Sequence, residues 1–183
     1  EASADDIEFK DGTFTVKGTD KKMAFGEVAL SAYVAHKFNG ADIEPGLKES
    51  AFHDPANFVF PAGVHICEVE IDPDTGVTTI ANYTCVDDFG NLINPMIVEG
   101  QVHGGVMQGA GQVFGEHAVY DAASGQLLTG SFVDYVMPRA GWLRRIDVHD
   151  HPVPTPMNAL GAKGVGESGC SGSLPALVNA VVD

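Results

Sequence analysis

The chain has 183 residues, 44% hydrophobic and 19% charged, with 25 acidic against 10 basic residues and a formal net charge of -15. That charge would repel phosphate backbones and anionic membrane surfaces, which argues against nucleic acid as a partner. No apolar run reaches membrane-spanning length. The length suits one domain, residues 1–183. A first residue of Glu1 with no signal peptide behind it leads us to expect a processed or cut-out piece.

Residues 7–16 are expected to form a hairpin turning at Asp11 and Gly12. Residues 25–38 have Val28, Ala32 and Ala35 at helical spacing and a stop signal in Asn39 and Gly40, so they predict an amphipathic helix. Residues 41–62, with Pro45, Pro55 and Pro61, predict a long irregular connection rather than a domain boundary. His53 and Asp54 within it have no second ligand at a metal-like spacing and are expected on a surface loop. Residues 64–71 and 77–87 predict a second hairpin joined by Asp72, Pro73, Asp74, Thr75 and Gly76. If Ile71 faces Val77, then Cys67 faces Ala81 and lies beyond bridging distance of Cys85. With Cys170 the only other cysteine, a reducing, cytoplasmic-type environment is expected.

Residues 97–117, opened by Asn94 and Pro95, predict an unusual helix with Val102, Val106, Ala110 and Val113 on one side. Gln101, Gly104, Gly105, Gln108, Gly111 and Gln112 fall on the other. Its glycines cost roughly 1 kcal/mol each in helix propensity, so something must compensate. A second helix backbone packed closely could do so; so could a large flat ligand bonded by the glutamine amides. Glu99 and His103 are expected to be ordinary helix neighbours. Strands are predicted at 119–121 and 127–137, around a turn at 122–125, and no role is assigned to Asp134 or Tyr135. Residues 145–149 predict a further strand, with His149, Asp150 and His151 solvated for want of another nearby ligand.

Residues 161–175, GAKGVGESGCSGSLP, are too rich in glycine and serine for a core strand and predict a loop. A helix is expected to follow from Leu174, with Ser173 as its N-cap and Pro175 in its first turn. Residues 164–169 fit G-x-G-x-x-G, but no strand precedes them and no acidic residue follows about 20 positions on, as a dinucleotide site requires. A Walker loop fails because Lys163 precedes the glycines. A serine-hydrolase elbow fails because Cys170 stands where glycine is needed. Glu167 is the single carboxylate of the stretch, and on these grounds alone a close-packing turn and a ligand loop stay equally open.

GAKGVGESG at 161–169, INPMIVEGQVHGGVMQGAGQ at 93–112 and TGSFVDYVMPRA at 129–140 together resemble the C-terminal part of the molybdenum-binding large subunit of the xanthine oxidase family. The likeness is nearest to aerobic carbon monoxide dehydrogenases and extends over nearly the whole chain. It implies molybdenum in a pterin cytosine dinucleotide, iron–sulfur and flavin subunits as partners, and oxidation or hydroxylation of a small molecule with oxygen from water. By the same resemblance, Gln101, Gly104, Gly105, Gln108, Lys163, Gly164, Val165 and Gly166 are expected to bind the cofactor. Glu167 is expected beside the metal as general base, and other walls of the site to come from upstream of Glu1.

The architecture expected is a single α+β domain with a mixed or antiparallel sheet and helices packed on one side. Two alternatives accompany the enzyme reading: a non-catalytic scaffold or binding module in which Glu167 only caps backbone amides, and a purine, aldehyde or aromatic-heterocycle hydroxylase of the same family. A base must present its carboxylate to a cavity, whereas a cap must bond neighbouring N–H groups.

Overall fold

The computed structural model describes residues 2–34, 36 and 44–182, in two compact units, 1–54 and 55–183. The division falls inside the stretch expected to be a connection. In the first unit, β1 (Ile7–Lys10) and β2 (Thr13–Val16) pair so that Lys10 faces Thr13. The turn residues between them, Asp11 at φ 48° and Gly12 at φ 74°, are both left-handed, as a type I′ turn requires. A third strand that the sequence did not announce, β3 (Lys22–Ala24), extends the sheet beside β2; three residues are too few for a period to show.

Helix α1 (Phe25–Ser31) is shorter than expected. Tyr33 and Val34 already bond three residues back, at 3.1 and 3.2 Å, and the Ala32 carbonyl accepts from Gly46 N, which ends the regular turn. Ala35, Phe38, Asn39 and Gly40 lie outside the described residues. The rings of Phe9, Phe14 and Phe25 gather with centroids 4.5 to 6.3 Å apart.

The second unit is built on β4 (Ala62–Ile71), β5 (Thr78–Asp88) and β6 (Asp147–Asp150), in the order β4-β5-β6. The β4–β5 pair is antiparallel and β6 runs parallel to β5, so the sheet is mixed. The predicted register needs correction. Ile71 faces Thr78, and a bulge at Glu68/Val69 shifts the ladder again, so Cys67 faces Tyr83 and His65 faces Cys85. The bulge also changes which residues of β5 point inward: Ile80 before it, then Tyr83, Cys85 and Asp87 after it. All three cysteines are free.

Helix α2 (Pro95–Phe114) starts two residues earlier than expected, with the Asn94 side chain accepting from Ile97 N at 3.2 Å and Pro95 in the first turn. Helix α3 (Ser168–Val182) starts well before the predicted Leu174 and takes in most of the glycine and serine run. The physical reason is tertiary. A Cβ on Gly105 would stand 2.8 Å from Cys170 N, and one on Gly169 would stand 2.6 Å from the Val102 carbonyl oxygen, so the two helix backbones meet at distances only small residues allow. Pro175 consequently lies inside the helix, not in its first turn.

Tyr83, Cys85, Val102, Val106, Ala110 and Leu177 form the core between the inner sheet face and the helices. On the opposite face Val64 and Ile66 are exposed. The strand expected over 127–137 is reduced to one bridge between Tyr120 and Leu127. Beyond it Asp134 N and Tyr135 N both donate to the Ser131 carbonyl, which closes a turn where an extended run was predicted.

Candidate functional site around Glu167

Glu167 immediately precedes α3, and its carbonyl accepts from Ser171 N at 2.9 Å, the first bond of the helix. It therefore stands at the N-cap, where a carboxylate ordinarily bonds the second or third helical N–H. Here no described residue hydrogen-bonds its side chain, which is exposed and lines an open cleft of about 610 Å³. Val59, Pro61, Gly164, Gly166 and Ser171 line the same cleft. Backbone N–H groups at the start of α3 bias the local potential toward an anion.

The turn that carries Glu167 is clamped from several sides. The carbonyl of Gly161, a residue at φ 65°, accepts from Asn91 N at 3.0 Å, and a Cβ on the facing Gly90 would lie 2.1 Å from that oxygen. Lys163 N donates to the Phe89 carbonyl at 2.8 Å, and the Lys163 ammonium pairs with Asp88. Asp88 also accepts from Val153 N and Gly90 N, both at 2.9 Å. The Lys163 bond first, then the Val153 N–H, lowers the Asp88 carboxyl to about 2.

The glycine stripe of α2 divides by its surroundings. Gly105 and Gly109 are buried against α3, where a Cβ would run into Cys170 N or Ser173. Gly100 and Gly104 face open space. Gln101, Gln108 and Gln112 are exposed on that open side, and Gln101 Nε2 donates to the Gly166 carbonyl at 2.7 Å. That bond joins two regions the sequence singled out, residues 93–112 and 161–169. Lys163 and Val165 are partly buried, whereas Gly164 and Gly166 are exposed on the cleft.

His149 and His151 are exposed, as expected for a solvated strand end, and belong to no metal-like cluster among the described residues. His103 forms no bond to Glu99, and its buried Nε2 has no partner. Sequence reasoning missed His65 and Asp87, which line the far side of the Glu167 cleft. Alternation of Tyr83, Cys85 and Asp87 along one face was visible in the sequence. The bulge that sets His65 against them was not.

A family model described as a molybdopterin cofactor-binding domain matches residues 1–143. The carbon monoxide dehydrogenase large chain of Hydrogenophaga pseudoflava is 39% identical over 183 residues, covering 100% of this chain and 22% of its own length. Among solved structures, a Cu,Mo-CO dehydrogenase in its carbon monoxide reduced state superposes with a TM-score of 0.82 at 38% identity, over 98% of this chain and 22% of that one. Quinoline 2-oxidoreductase from Pseudomonas putida 86 superposes with a TM-score of 0.84 at 36% identity, over 99% of this chain and 23% of its own. The chain thus spans between a fifth and a quarter of the length of each of these proteins.

Proposed function

Because the chain belongs to the family of molybdopterin cofactor-binding domains, we propose that it supplies one wall of the molybdenum site in a carbon monoxide dehydrogenase-like hydroxylase, with Glu167 as general base. The observation that carries this reading is the Glu167 carboxylate, which faces a cleft and accepts no bond from the helix it precedes. A capping role would have used those oxygens.

The neighbouring residues fit a pterin dinucleotide. Gly104 and Gly166 have open space beside their Cα atoms, room for a flat group to lie against backbone. Gln108 and the remaining amide atoms of Gln101 can donate and accept together, which suits the edge of a heterocycle. Gly164 and Val165 extend that wall. When bound, the group supplies two-electron redox chemistry at molybdenum. Glu167 would take a proton during substrate oxidation. Gln101 holds the Gly166 carbonyl and so fixes the turn before Glu167. Lys163 contributes through its bond to Asp88, which clamps the same turn, and Gly105 contributes by seating α2 on α3.

We take the cofactor to be the cytosine dinucleotide form and the partners to be the rest of the large subunit with iron–sulfur and flavin subunits. The three free thiols support a cytoplasmic setting, and no helix among the described residues is long and apolar enough to cross a membrane. The match to quinoline 2-oxidoreductase, as good as that to carbon monoxide dehydrogenase, favours hydroxylation of an aromatic heterocycle as a second reading of the substrate. The test is Glu167→Gln in the complete enzyme. The near-isosteric amide is expected to keep molybdenum content while turnover falls roughly 10²–10⁴-fold, the usual contribution of a positioned base. Full molybdenum with near wild-type kcat would leave Glu167 without that role.

A further inference from the structure

On the inner face of the β4–β5 ladder, His65 stands directly opposite Cys85, and Asp87 follows two residues along the same strand. Cross-strand and i, i+2 neighbours on one face have Cβ atoms close enough for their side chains to converge. They do: one ligand atom from each of His65, Cys85 and Asp87 lies within 4.8 Å of the others, the one such group among the described residues. The His65 and Asp87 side chains are 4% and 2% exposed. Cys85 is fully buried.

Three further observations bear on what this cluster can hold. Asp87 Oδ2 is buried and has no hydrogen-bond partner, an expensive state for a carboxylate oxygen unless a cation or donor completes it. His65 Nδ1 is bonded to Tyr83 Oη at 2.7 Å, so the ring is oriented from behind, as metal-ligating histidines are by an outer partner. His65 Nε2 and Asp87 Oδ1 stand 3.2 Å apart, close to the edge of about 3.3 Å that ligands at zinc bond lengths span in a tetrahedron.

Glycines in the surrounding backbone make room for these side chains. A Cβ on Gly63 would fall 2.0 Å from Asp87 Oδ1, and one on Gly172 would fall 2.6 Å from the His65 ring. His65 and Asp87 also line the cleft, which leaves a route for a fourth ligand from water.

The geometry points to a divalent metal site of zinc type at His65 Nε2, Cys85 Sγ and Asp87, separate in its ligands from the molybdenum site proposed at Glu167. Nitrogen, sulfur and carboxylate oxygen form a ligand set zinc accepts, and three protein ligands with one open position suit its tetrahedral habit. On binding, the Cys85 thiol passes its proton to solvent. The thiolate and the Asp87 carboxylate then balance the two charges of the metal.

The complete large subunit, dialysed against chelator, would be titrated with zinc chloride and then with cobalt(II) chloride. The expected result is one equivalent bound per chain and a near-ultraviolet thiolate-to-cobalt charge-transfer band. Cys85→Ser should abolish that band, and Tyr83→Phe, which removes the outer partner, should weaken zinc binding by about 10–100-fold. Asp87→Asn, nearly isosteric, gives the same reading if Cys85→Ser does not fold. Absence of zinc uptake by wild type, or uptake unaltered in Cys85→Ser or Asp87→Asn, would overturn the site. Neither result bears on Glu167, whose test reads turnover at constant molybdenum.

Discussion

Lys163 and Asp88 show how one ion pair can anchor a turn that carries a candidate site residue. Both side chains are largely shielded, at 15% and 14% exposure, and the pair joins the end of β5 to the turn before Glu167. The Asp88 carboxyl is lowered from 3.8 to about 2, first by the Lys163 bond and then by the Val153 N–H. Its folded value lies below its unfolded one, so the ionised form stabilises the fold above the unfolded value. That contribution is lost as pH falls through the interval between the two. Asp88→Asn is therefore expected to destabilise the protein more at pH 7 than at about pH 2. Denaturant unfolding of both proteins at each pH would show it. An equal loss at both values would mean the carboxylate charge contributes nothing.

At the scale of elements, the α2–α3 contact accounts for three glycines, Gly105, Gly109 and Gly169. Glycine in a helix interior costs roughly 1 kcal/mol against alanine, and close backbone packing recovers it only where the residue faces the other helix. Gly105 and Gly109 do; Gly104 does not. Two substitutions separate these roles. Gly105→Val places side-chain atoms where Cys170 N and Gly169 already stand. Thermal or denaturant unfolding should show a loss of about 1–3 kcal/mol or more. Gly104→Val meets open space and improves helix propensity, so stability should hold or rise slightly. In the complete enzyme, however, it should lower cofactor content, because the valine occupies the wall where the flat group would lie. Normal molybdenum loading in Gly104→Val would place that face in solvent.

For the whole molecule the relevant quantity is area. Among the described residues, large apolar side chains stand exposed, including Phe52, Phe58, Phe60, Phe132 and Val133, each at least 75% exposed. Apolar exposure on that scale offers surface suited to burial against another protein. The Glu167 cleft is open as well, and small-molecule affinity depends on burying most of the ligand. The isolated chain is thus expected to bind a hydrophobic dye strongly and to retain no molybdenum after desalting. Stoichiometric metal in the purified chain would show that the cleft by itself completes the site.

What the sequence determined alone was local and chemical. Asp11 and Gly12 specify their turn because so few residue pairs accept two left-handed conformations, and Asn94 with Pro95 marks a helix start through capping geometry. The motifs at 93–112 and 161–169 carried the resemblance to the family, without any contact between them being known. The tertiary structure decided what depends on partners distant in sequence. A bulge at Glu68/Val69 chose which residues of the hairpin face His65, since a single extra residue reverses the side-chain alternation. Residues 168–173, glycine- and serine-rich and so predicted to be a loop, are helical because α2 offers a glycine face on which only small residues can lie. Local propensity disfavours helix there, and only packing between two backbones reverses that preference.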